Sequence, residues 1–116
     1  MKAAVAVLGA RVAYGAALLV APQKVTTSWL GPVDDSAKVA LRGLGAREIA
    51  LHGFGIAAAL TGAPLKPWLA ASIVGDVSDI AATFAGRAGL PDRSAAKTAA
   101  VAGVSAALTA AVLATA

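Results

Sequence analysis

The sequence predicts an all-α fold, a four-helix antiparallel transmembrane bundle, and three observations carry that prediction. Apolar residues make up 59% of the 116-residue chain and charged residues only 14%, against about 25% charged in soluble domains. Four apolar segments follow one another, each near the roughly 20 residues that cross a bilayer core. The connections between them are short, which favours antiparallel neighbours. A chain of this length holds one core, so residues 1–116 form a single domain.

The first helix spans about 3–21 (AAVAVLGARVAYGAALLVA) and is ended by Pro22. Lys2 before an apolar run imitates a signal peptide, but Arg11 interrupts the run and three more apolar segments follow, so it reads as a membrane helix. A polar loop (PQKVTTSWLGPVDDS) follows, with Trp29 at the membrane interface. Asp34, Asp35 or Ser36 can cap the second helix, about 37–60. Pro67 suits the first position of the third helix, about 67–85, and Trp68 anchors its start at the interface. Ser94 is the expected N-cap of an Ala-rich fourth helix, about 95–115, which has no charged residue after Lys97. A soluble bundle would need a polar outer face on every helix, and this one has none. Lys24, Lys38, Arg87, Arg93 and Lys97 on one side outnumber Lys2 and Lys66 on the other. The positive-inside rule therefore puts the first and third loops in the cytoplasm and both termini outside, in the cell membrane.

Composition also excludes function classes. Without cysteine there is no disulfide, thiolate metal site or Cys nucleophile. The net charge of +4 is scattered and only 4% of residues are aromatic, so no nucleic-acid surface is expected. The motifs of α/β-hydrolases, P-loops, dinucleotide folds and zincins are absent.

Six ionisable side chains fall at or near mid-helix, and their formal charges cancel. They are Arg11 in the first helix, Arg42, Arg47 and Glu48 in the second, and Asp76 and Asp79 in the third. One charge at a membrane helix centre costs roughly 2.5–3.5 kcal/mol, so six unpaired would cost on the order of 15–20 kcal/mol. All six are therefore expected to pair inside the bundle.

Helical periodicity groups them further. Glu48 and His52 are four apart and share a face, with Arg47 roughly 100° to one side and Arg42 roughly 120° to the other. Ser72, Asp76, Asp79 and Thr83 form one polar stripe. Two carboxylates in low dielectric resist joint ionisation, which suits either a proton-transfer site or salt bridges to the arginines. Arg11 and Tyr14, three apart, can face the same interior, where Tyr14 can donate to an anion, a substrate oxygen or a carboxylate. Thr98, Ser105 and Thr109 form a stripe of hydroxyls able to bridge helices. Gly43, Gly45, Gly53 and Gly55 serve either close helix contact or a pocket floor. No metal or cofactor is expected. The spacing is Glu-x-x-x-His rather than the Glu-x-x-His of di-metal bundles, and three arginines would repel a cation.

The run Arg42-Gly43-Leu44-Gly45-Ala46-Arg47-Glu48-Ile49-Ala50-Leu51-His52-Gly53, then Pro67-Trp68-Leu69 and Asp76-Val77-Ser78-Asp79, resembles a family of small four-helix integral membrane proteins. That family is common in actinobacteria and has no known function. The shared pattern is R-x-x-G-x-R-E-x-x-L-G-x-G, a tryptophan, then D-x-x-D, across roughly the central half of the chain. His52 departs from it, standing where the family carries a small or apolar residue. The resemblance implies that Arg42, Arg47, Glu48, Asp76 and Asp79 form the family's common core.

Three functions remain open at this point. In the first, the network binds or acid/base-transforms a lipophilic small molecule, as a cyclase or isomerase would. Asp76, Asp79, Glu48, His52 and Tyr14 then do the chemistry, with Arg11, Arg42, Arg47 and Ser72 holding the charges. In the second, the chain is a structural or accessory subunit of a membrane complex, or a homo-oligomer, whose charges fix helix register. In the third, Asp76, Asp79 and Glu48 line a proton or ion pathway. The lipid bilayer is the partner common to all three.

Overall fold

The computed structural model describes residues 2–116. They fold into five α-helices with no strand among the described residues: α1 (Lys2–Val20), α2 (Pro22–Leu30), α3 (Asp35–Thr61), α4 (Lys66–Ala85) and α5 (Ser94–Thr115), with a 3₁₀ turn at Arg87–Gly89. The four long helices lie within two residues of the ranges expected from sequence. The fifth, α2, occupies what was expected to be an interfacial loop. Pro22 stops α1, because the chain turns at Ala21 (φ −140°, ψ 63°). It then starts α2 as a first-turn residue, where its missing N–H costs nothing.

The remaining boundaries follow from local chemistry. Asp34 caps α3 by accepting the Ala37 N–H through Oδ1 at 2.8 Å. Gly62 ends it in the left-handed region (φ 73°), which glycine adopts without a Cβ penalty, while the Ala63 N–H donates to the Ala58 carbonyl. Ser94 does not cap α5 as expected. Arg93 holds the N-cap position at φ 62° with no side-chain cap bond, and the Ser94 hydroxyl donates to the Trp29 carbonyl instead.

Helix α1 packs antiparallel along α3, and α4 antiparallel along α5. Glycine brings the first pair into backbone contact. A Cβ on Gly45 would stand 2.6 Å from the Gly15 carbonyl oxygen, and one on Gly15 would stand 2.6 Å from the Gly45 oxygen. A Cβ on Gly55 would meet Leu8 and Trp68 at 3.1 and 3.3 Å, whereas one on Gly43 or Gly53 would have nothing within 4 Å. The two helix pairs join where α4 crosses α3, through His52–Ser72 and the stacked rings of Phe54 and Trp68. Helix α2 packs against α1, α3 and α5. Its Trp29 Nε1 donates to the Thr83 hydroxyl at 2.9 Å, tying it to α4.

Burial runs opposite to that of a water-soluble bundle. His52, Thr26, Thr109 and Ser72 are fully buried beside Leu8, Leu18 and Leu69, while Val20 (82% exposed), Val101 (74%), Val39 (72%), Leu60 and Phe54 face outward. Helices α1, α4 and α5 are long and apolar enough to cross a membrane. Helix α3 is longer, but it is not among them: Arg47, Glu48 and His52 in its middle lower its hydropathy.

Candidate functional site

The interior is organised around Arg11, which α1 projects between α3, α4 and α5. Its planar fork meets Glu48 in a bidentate pair, Nε to Oε2 at 3.0 Å and Nη2 to Oε1 at 3.0 Å. Its Nη1 donates to Asp76 Oδ1 at 2.5 Å and to the Ser105 hydroxyl at 3.1 Å. Arg11, Glu48 and Asp76 side chains are 11%, 9% and 4% exposed, so these ion pairs are largely desolvated. Bidentate guanidinium–carboxylate contact is the arrangement in which such a pair recovers most of its desolvation cost.

Behind Glu48 stands a second layer. The His52 Nδ1 lies 2.7 Å from the Glu48 carbonyl oxygen and 3.2 Å from its Oε2. Both atoms only accept, so Nδ1 carries the ring proton. In the neutral ring, Nε2 then accepts from the Ser72 hydroxyl at 2.9 Å. The chain Ser72, His52, Glu48, Arg11, Asp76 thus links three helices, α4, α3 and α1, and fixes where the Asp76 carboxyl sits.

In front of Arg11 opens a cavity of about 430 Å³. Its polar lining includes Arg11, Tyr14, Asp76, Asp79 and Lys97; its apolar wall includes Val25, Trp29, Val101 and Ala102. Glu48, His52 and Ser72 are not among the lining residues. One buried acceptor is unmatched: Asp76 is 3% exposed, and its Oδ2 has no hydrogen-bond partner. Native proteins leave few such atoms, and each calls for an explanation.

The structure brings together Arg11, Glu48, His52, Ser72 and Asp76 from the expected set, and adds Ser105. Tyr14 and Asp79 face the cavity without a side-chain hydrogen bond or ion pair among the described residues. Arg42 and Arg47 do not join. Both are exposed; Arg42 donates through Nε to the Leu19 carbonyl at 3.3 Å, and Arg47 meets no carboxylate among the described residues. The expected balance of three arginines against three carboxylates is therefore replaced by Arg11 alone inside, facing Glu48, Asp76 and Asp79. The physical reason is angular. Positions about 100° and 120° from the Glu48–His52 stripe point away from a helix's single inward face.

Sequence reading missed α2's share of the cavity. The available signal was the helical period in 22–30, where Pro22 and Thr26 are buried and Val25 and Trp29 line the cavity, each pair four residues apart. No group of three His, Asp or Glu side chains among the described residues is placed to hold a metal ion. Comparison with protein-family models, with curated proteins and with solved structures finds no match to this chain.

Proposed function

We propose that this is a multi-pass protein of the cell membrane, its four long helices crossing the bilayer, whose interior cavity binds a lipophilic small molecule and offers it acid/base groups. The bilayer reading is supported by the outward Val, Leu and Phe side chains around a polar interior, and by a long dimension of 43 Å, close to the roughly 40–45 Å of a bilayer with its headgroups. Helix α3 is admitted as a span with Arg47 at mid-helix on the outward face and Arg42 towards its α2 end, where a long side chain can snorkel to the interface. That end also carries Lys24, Lys38, Arg87, Arg93 and Lys97, so the α2 side is assigned to the cytoplasm and both termini to the outside.

The observation that carries the ligand reading is a cavity of about 430 Å³ walled by Arg11, Tyr14, Asp76 and Asp79, within the ~300–1,000 Å³ range of small-molecule sites. Asp76 and Asp79 act as the proton donor and acceptor groups, with Tyr14 beside them. Glu48, His52 and Ser72 set the orientation of Arg11 and, through it, of Asp76. A scaffold needs paired charges but has no use for a cavity that holds Asp79 without an ion pair among the described residues.

The test is mass spectrometry of small molecules extracted from the purified protein, with an Asp76→Asn/Asp79→Asn variant alongside. A lipophilic compound retained by wild type and lost from the variant supports a binding site. Bulk lipid alone in both moves the assignment to a structural subunit.

A further inference from the structure

Resting on the membrane-spanning part of the reading above, and not on the cavity, we infer that the outward face of α3 around Arg47 docks a transmembrane helix of another protein, one that carries an aspartate or glutamate at mid-membrane. The depth of Arg47 comes first. It stands 12 residues after Asp35 and 14 before Thr61, about 18 and 21 Å along the axis, so it sits at the middle of α3. A second marker gives the same level. The neighbouring Glu48 bonds Arg11, at the centre of α1 (Lys2–Val20), and Arg11 bonds Asp76, at the centre of α4 (Lys66–Ala85). The nearest headgroups are then on the order of 15 Å away, beyond the reach of an arginine side chain.

Nothing in the chain answers this charge. Arg47 is exposed and meets no carboxylate among the described residues. Of the six acidic residues, Asp34, Asp35 and Asp92 lie in loops or at a helix start, Glu48 and Asp76 are buried against Arg11, and Asp79 lines the cavity. A second copy therefore has no outward carboxylate to offer at that depth, and a two-fold contact through this face would bring Arg47 towards Arg47. A charge left alone at the centre of a membrane helix is costly, and a carboxylate can meet the planar guanidinium with two parallel bonds. The surroundings admit such a partner closely. Ala46, Ala50 and Ala57 are exposed on the same side, and a Cβ added to Gly43 or Gly53 would meet nothing within 4 Å. Small residues let a second backbone come near enough for a short acidic side chain to reach Arg47.

Three synthetic leucine–alanine helices of about 20 residues, identical except for Asp, Asn or Leu at the central position, are the probes. The chain has no cysteine, so Ala116→Cys gives a single dye site, and association with dye-labelled peptide is read by energy transfer in zwitterionic liposomes holding the full chain. The Asp helix is expected to bind about tenfold more tightly than the Leu helix, with the Asn helix close to the Leu helix. Arg47→Leu, which removes no contact within the chain, should abolish that preference, and Arg42→Leu should keep it. Moving the Asp by one turn, about 6 Å, towards either end of the peptide should weaken it. Asp and Leu helices binding alike, Asn binding as tightly as Asp, or a preference that survives Arg47→Leu each overturns the proposal. Energy transfer between two labelled copies of the chain that Arg47→Leu removes assigns the face to a second copy and overturns it. Anionic lipid retained by wild type and lost from Arg47→Leu, without an Asp preference, assigns the face to headgroups and overturns it too. A chain stripped from liposomes by alkaline carbonate overturns the spanning reading and the docking together, whereas one that stays inserted and shows no Asp preference overturns the docking alone.

Discussion

Replacing Arg11 with methionine should be among the most damaging single changes in the chain, and the geometry sets its scale. The Arg11 contacts run at 3.0 Å to Glu48 and 2.5 Å to Asp76, where unit charges attract by about 5.5 and 6.6 kcal/mol at an effective dielectric of about 20. Desolvating the ions offsets several kcal/mol apiece, so the net worth of the pairs is far smaller than their sum. The variant, however, loses the attraction and keeps two buried carboxylates side by side. Removing one partner of a buried pair costs about 3–5 kcal/mol, and we expect about 4 kcal/mol here, measured by reversible unfolding in mixed micelles of mild detergent and SDS. Arg11→Met/Glu48→Gln/Asp76→Asn, which removes all three charges, should recover more than half of the loss. Arg47→Met, on the outer face and without a carboxylate partner among the described residues, removes no ion pair and should not destabilise the protein. A loss below about 1 kcal/mol for Arg11→Met, or a larger loss for Arg47→Met than for Arg11→Met, would refute the pairing described here.

Three further outcomes are expected. Gly45→Ala drives a methyl to within 2.6 Å of the Gly15 carbonyl oxygen and should cost about 1–3 kcal/mol in the same assay; Gly43→Ala, in open space, should be neutral or stabilise by up to about 1 kcal/mol. Ser72→Ala leaves the fully buried His52 Nε2 without a donor and should cost about 1–3 kcal/mol; a cost no larger than that of Ser78→Ala, on the exposed face of α4, would show that the His52–Ser72 bond is not made. Asp79→Asn, half-buried and without an ion pair, should move the unfolding midpoint by less than the equivalent of about 1 kcal/mol. A loss comparable with that of Arg11→Met would place Asp79 inside the ion-pair network.

The long helices were legible because their signals are local. Asp34 ahead of α3, Pro67 in the first turn of α4 and Gly62 after Thr61 mark ends through backbone chemistry within a few residues. Helix α2 was obscured by Pro22, which serves equally well as a stop for α1 and a start for α2. Ser94 shows a local signal being overruled: its hydroxyl had a cap to make, and the Trp29 carbonyl, brought in by tertiary contact, took it.

The site divides the same way. That charges would pair inside an apolar bundle follows from the sequence, since burial in low dielectric penalises any ion left alone, whatever the fold. That Glu48 and His52 share a face follows from helical period alone. Which arginine takes part does not follow from residue type. Arg11, Arg42 and Arg47 carry the same guanidinium, and the choice depends on the rotation of α1 and α3 about their own axes. That rotation is set by the Gly15–Gly45 contact, which seats α3 with Glu48 inward and turns Arg42 and Arg47 out. The cavity is likewise tertiary, because its wall draws on α1, α2, α4 and α5 at once. A sequence lists which ions need partners; only the packed helices decide which of them meet.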